Sequence, residues 1–226
     1  MSNISKKVKN AINETLGEVL GEAYVTEPKQ FELRTELLSS KAKQARRKEF
    51  ENLVSALNKI SAQLDGASRE DANDKDSDFR RLKVDEVHNM NAAFLRALHF
   101  ENISDLSSKI TMDTLSFLRL ERDFGSFDAW QKDFIACALS SRDGYAMTGY
   151  SLYLKRYMNF VIDTEGLNVP VGVIPIIVLD VAEGAYYRDY LEDRRTYVLG
   201  MMKEFNWNKI EDRFKNAESI AKVVKK

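Results

Sequence analysis

The sequence predicts an α+β protein, in which a helical N-terminal half leads into a short antiparallel sheet and then back into helices. Three observations carry this. Apolar residues recur every three or four positions from residue 7 to about residue 140. The period falls to two in "TGYSLYLKRYMNFVIDTEG", and the helical period returns after "VIPIIVLDV".

Taken in order, Val8, Ile12, Leu16, Val19 and Leu20 place one apolar stripe on a first amphipathic helix over residues 7 to 24, and Pro28 marks a break after it. Ser39 or Ser40 suits the start of a second helix, whose stripe runs through Phe50, Leu53, Leu57, Ile60 and Leu64. "DGASREDANDKDSD" carries no apolar residue larger than alanine and reads as an exposed connection. A third helix follows, with Val84, Val87, Asn91, Phe94 and Leu98 on one face. Asn91 then sits amid apolar neighbours and needs a partner inside the protein.

Two more helices, punctuated at Gly125, lead to the sheet. The aromatic and β-branched residues around Tyr150, Tyr153 and Tyr157 suit two strands that turn near Lys155 and Arg156, and all three tyrosines are expected to pack on the core or a sheet face. "VIPIIVLDV" is apolar enough to be a third, fully buried strand. A helix is expected through "AYYRDYLEDRRTYVLGMMKEF", with Met201 and Met202 packing beside Trp207, and another from Asn208 to about Lys222.

The totals bound the function. A chain of 226 residues with 44% hydrophobic and 31% charged residues can bury a sound core unaided, and no apolar run is long enough to cross a bilayer. The N-terminus lacks the apolar core of a secretory signal, so an intracellular or virion-associated location is expected. Cys137 is alone and suits a small buried hydrophobe. A net charge of −1 gives no footprint for nucleic acid. The basic runs "KAKQARRK" and "AKVVKK" leave such contact open without indicating it. His88 and His99 are the only two histidines, a short supply for any imidazole-rich metal centre, and both are read as ordinary helix histidines.

"FGSFDAWQKDF", "TGYSLYL", "PIIVLDVAEGAYYRDY" and "FNWNKIEDRF" occur in the order and at the rough spacing found in the C-terminal domain of iron/manganese superoxide dismutases, which this chain resembles. The resemblance implies a helical hairpin domain over 29–110 and an α/β domain with a three-stranded sheet over 111–226, with residues 1–28 as an added helix. It also implies a redox metal held by three histidines and one aspartate. The family's Asp-Val-Trp-Glu-His-Ala-Tyr-Tyr is here Asp180-Val181-Ala182-Glu183-Gly184-Ala185-Tyr186-Tyr187, so the aspartate is kept and the histidine is not.

The first-helix ligand position falls on Ala42, or on Ala45 in another register. The third-helix position falls on Asn91, or on His88 after a one-turn shift. Phe50 matches an aromatic that usually carries a hydroxyl. Ala42, Asn91, Asp180 and Gly184 are thus expected to be a vacated metal site, with no metal or cofactor bound. Without an ion Asp180 needs another counter-charge. Arg46, four residues before Phe50 and so on the same helix face, or Arg47, is expected to neutralise Asp180 or Glu183.

Glu183 and Tyr187 match family residues at the subunit interface, which leads one to expect a homo- or heterodimer. The function expected on these grounds is a non-catalytic subunit among the proteins of a larger assembly, with a bacteriophage virion ranked ahead of a mitochondrial small ribosomal subunit because the charge favours protein neighbours. The alternatives are a superoxide dismutase-like metalloenzyme rebuilt on Asp180, Glu183 and His88 or Asn91, and a nucleic-acid module using "KAKQARRK".

Overall fold

A computed structural model of the chain describes residues 24–105 and 107–224. The first predicted helix, over 7–24, lies almost wholly outside them. Among the described residues there are seven helices and a three-stranded antiparallel sheet in the order β2-β1-β3, as the α+β reading expects. No described helix is long and apolar enough to cross a membrane.

Two long helices, α1 (Ser40–Gly66) and α2 (Asp78–Asn102), form the N-terminal hairpin and pack on each other. Each starts where a serine satisfies a free helix N–H: Ser39 Oγ accepts from the Ala42 amide at 3.2 Å, and Ser77 Oγ from that of Arg80 at 3.2 Å. Phe50 of α1 and Phe100 of α2 meet Phe31 from the preceding segment, all edge-on at centroid separations of 5.3 to 5.9 Å.

The buried face of α2 is not the one drawn from its bulky residues. Val84, Val87 and Phe94 are about half exposed, whereas Leu82, Ala92, Leu95, Arg96, His99 and Phe100 are buried. The period is the one expected, but the helix is rotated. The inward face carries alanines, which allow close approach, and polar groups that find buried partners.

Helices α3 (Leu115–Phe124) and α4 (Phe127–Ser140) are separated at Gly125, which takes the left-handed conformation at φ 86° that ends a helix without a Cβ clash. The strands β1 (Tyr145–Ser151), β2 (Arg156–Ile162) and β3 (Val173–Asp180) follow. β1 is buried along its whole length between its neighbours. A bulge between Thr148 and Gly149 lets β1 pass Pro175, which has no N–H to give the ladder. Trp130 of α4 reaches this layer, donating from Nε1 to Thr148 Oγ1 at 2.9 Å. Tyr150 and Tyr157 are buried as expected, but Tyr153 stands in the β1–β2 turn at 90% exposure and takes no part in the core.

The single helix expected after the sheet is two, α5 (Glu183–Tyr190) and α6 (Arg194–Lys203), followed by α7 (Trp207–Val224). Leu191 breaks the run with φ at 51°, and Asp193 restarts it by accepting from the Thr196 amide at 3.0 Å.

Candidate functional site

Asp180 is the last residue of β3 and is fully buried. The chain around it is fixed on every side. Asp180 Oδ1 accepts from the Ala182 amide at 3.1 Å, which turns the strand into α5. The Asp180 carbonyl accepts from the Tyr197 hydroxyl at 2.8 Å, and its amide donates to His99 Nδ1 at 3.3 Å.

The remaining carboxylate oxygen, Oδ2, is held by Arg46 Nη2 of α1. Arg46 lies one turn beyond Ala42, so both face the same way and both are buried. Its other terminal nitrogen, Nη1, donates to Glu49 Oε2. The same Glu49 oxygen accepts from Arg96 Nη1 at 2.9 Å, and Arg96 Nη2 donates to Glu165, which also accepts from the Tyr145 hydroxyl at 2.9 Å. Two guanidiniums thus thread three carboxylates into one network that enters the protein at Glu49 and ends at Asp180.

Electrostatics follow from that order. Burial alone would push the Asp180 carboxyl up, but the charges of Arg46 and Arg96 outweigh it and hold the group below its ordinary range. Burial works against the Arg46 charge too, and Asp180 and Glu49 more than restore it. His99 has no counter-charge of its own strong enough to resist burial, and its pKa falls to about 4, so its imidazole is neutral near pH 7. The Cys137 thiol, remote from this network, is half-buried and pushed up to about 11.

Of the residues singled out in the sequence, Ala42, Arg46, Asp180 and Gly184 come together. A Cβ on Gly184 would lie 2.8 Å from Arg46 Nη1, so the missing side chain is the space in which the guanidinium rests. Arg47 does not join them; it is exposed on the outer side of α1 beside Lys41 and Gln44. Asn91 finds its partner elsewhere, donating to the Gly166 carbonyl at 3.2 Å, and His88 packs against the same glycine. The α2 residues turned towards Asp180 are instead Arg96 and His99, three positions apart on one face. Ala93, Arg96 and His99 follow one another at a 3,3 spacing, with Ala92 beside them, on the face opposite the bulky Val84, Val87 and Phe94. Glu183 and Tyr187 are exposed at the rim of an open pocket of about 600 Å³ whose floor includes Ala45, Glu49 and Gly184.

This centre does not fit the ion of the family it resembles. Asp180 Oδ2 is occupied by a guanidinium, Oδ1 and His99 Nδ1 are engaged by backbone amides, and Ala42 and Gly184 carry no donor atom. No group of three or more histidine, cysteine or acidic residues able to hold a metal ion occurs among the described residues.

The model for the C-terminal domain of iron/manganese superoxide dismutases matches residues 116–213. Superoxide dismutase (Fe) of Aquifex aeolicus (strain VF5) and that of Aquifex pyrophilus are each 30% identical over 179 residues, 78% of this chain and 83% of their own length. Superoxide dismutase (Mn) of Mycolicibacterium smegmatis is 34% identical over 101 residues, 44% of this chain and 49% of its own length. The relatives are named as enzymes, which overturns the expectation of a metal-free, non-catalytic subunit of a virion or other large assembly. That expectation equated the loss of individual ligand positions with the loss of the family's activity. Site and fold vary separately, and neither loss follows from the other.

Proposed function

This chain belongs to the iron/manganese superoxide dismutase family, and from that premise we propose that it acts on superoxide. The observation that supports this reading is similarity over 83% of the length of the two Aquifex enzymes, with Asp180 kept and buried at the end of β3. Dismutation calls for an ion that changes oxidation state, and the cluster around Asp180 as it stands offers one no vacant set of donors. This chain's own contribution is different: Asp180 provides a buried carboxylate, Tyr197 and His99 fix its backbone, and Arg46 and Arg96 set the local charge.

The approach to the centre is acidic. Glu49, Asp143 and Glu183 line the pocket outside Gly184, against Arg188 alone as an opposing charge. Such a mouth slows an incoming anion, so turnover is expected to rise with salt as the repulsion is screened. Subunit pairing through Glu183 and Tyr187 belongs to the same proposal. Light scattering tests it, with a dimer expected and a monomer contradicting the pairing.

The test of activity is superoxide consumption by the full chain after reconstitution with iron or manganese. The expected result is a rate above that of the same amount of free metal, lost on chelation. A rate equal to free metal overturns the proposal.

A further inference from the structure

We propose that the chain before Tyr24 docks on the outer face of α2, laying the apolar stripe of Val8, Ile12, Leu16, Val19 and Leu20 over Val84, Val87, Met90 and Phe94. That face has no partner among the described residues. Val84, Val87, Met90, Phe94 and the neighbouring Leu167 are each 45% to 54% exposed, and steps of three and four put the four α2 residues on one side of the helix. Single exposed apolar residues are ordinary, but five together form a patch of the kind that another segment or molecule covers. At one end the patch hollows into an open groove of about 470 Å³, lined by Phe79, Val84, Val87 and Leu167 together with Arg80 and Lys83.

The described residues begin beside this face. Going back from Phe31, which packs on Phe100, Lys29 pairs with Glu101, the Thr26 amide donates to Asn58 Oδ1 at 2.9 Å, and the Tyr24 hydroxyl donates to Glu86 Oε1 at 3.0 Å. The segment thus climbs the hairpin from the level of Phe100 to that of Glu86. It delivers the preceding residues to α2 between Val84 and Val87.

Length and charge fit the same occupant. As a helix, Val8 to Leu20 spans about 18 Å, against about 15 Å from Val84 to Phe94. Between Leu20 and Tyr24 stand Gly21, Glu22 and Ala23, where the glycine suits a turn back along α2. Running antiparallel to α2, the segment brings its acidic end, with Glu18 and Glu22, to the basic end of the groove at Arg80 and Lys83. A second copy of the chain has no such tether. The segment, held at Thr26 and Tyr24, meets the face at an effective concentration on the order of millimolar.

Digestion of the full chain with a glutamyl endopeptidase, followed by intact mass, tests this, because Glu14 and Glu18 lie inside the docked stretch. Cleavage there follows the fraction of time that the segment is off the face. The wild type is expected to be cut about tenfold more slowly than Ile12→Ser/Leu16→Ser. Val87→Ser/Phe94→Ser is expected to release the segment equally, with no further gain when the two pairs are combined. Thermal unfolding of each variant separates release from global unfolding, and Phe94→Ala alone takes the place of the α2 pair should that protein not fold. Equal rates in the wild type and Ile12→Ser/Leu16→Ser, or a folded α2 variant as resistant as the wild type, overturn the proposal. So does protection that disappears on dilution, the mark of a second copy on this face.

Discussion

Replacing Gly184 by alanine probes the resting place of Arg46 with a single methyl group. Gly184 lies in the first turn of α5 with an ordinary helical backbone, so alanine brings a gain of up to about 1 kcal/mol in helix propensity. Against this, the new Cβ would stand 2.8 Å from Arg46 Nη1, closer than a side chain tolerates, and the guanidinium is tethered to Asp180 and Glu49. Displacing a tethered group from a packed site costs about 1–3 kcal/mol, and the half-exposed Glu49 contact puts the figure at the lower end. The net expectation in the wild type is a change near zero, the clash cancelling the propensity gain. In an Arg46→Gln background the obstacle is gone, and the same change should stabilise by about 0.5 to 1 kcal/mol. Urea denaturation of the four proteins gives the coupling directly. An identical effect of Gly184→Ala in both backgrounds would refute the placement of Arg46 against Gly184.

Two further outcomes follow from the same network, and a third from the contact of α4 with the sheet. Asp180→Asn leaves Arg46 buried without its main partner and is expected to cost about 3–5 kcal/mol, much of it recovered when Arg46→Gln is added; chemical denaturation of single and double variants checks this. His99 has a folded pKa near 4 against an ordinary 6.5, so as pH falls the unfolded chain takes the proton first. Stability should then drop by about 3 kcal/mol between pH 6.5 and pH 4, and His99→Gln should remove that slope in pH-dependent unfolding; an unchanged slope contradicts a buried neutral imidazole. Trp130→Phe removes the bond to Thr148 Oγ1 and leaves a gap between α4 and β1, with an expected loss of about 1–3 kcal/mol in thermal or urea unfolding.

The sheet and most helices were legible because their apolar periods are long and their ends are marked by serine, glycine or a turn cluster. Asp180 and Gly184 could be found because they sit in a dense motif directly after a strand. The inward face of Arg46 followed from its four-residue spacing to Phe50. Arg96 and His99 were not legible, since a charged residue in a helix normally marks the solvent side and only partners distant in sequence, Glu49 and Glu165, make Arg96 an interior residue. The apolar Val84, Val87 and Phe94 misled for the complementary reason: hydrophobic bulk on a surface is common, whereas buried charge needs explaining. The break at Leu191, with φ at 51°, lacked a glycine or proline to announce it.

A crystal structure of the full chain grown without added metal tests most directly the claim that this family centre is closed by its own arginine. The account predicts guanidinium density in contact with Asp180 Oδ2, Glu49 bridging Arg46 and Arg96, and no anomalous peak at the carboxylate. A transition-metal peak on Asp180 with Arg46 turned into the pocket beyond Gly184 would contradict it.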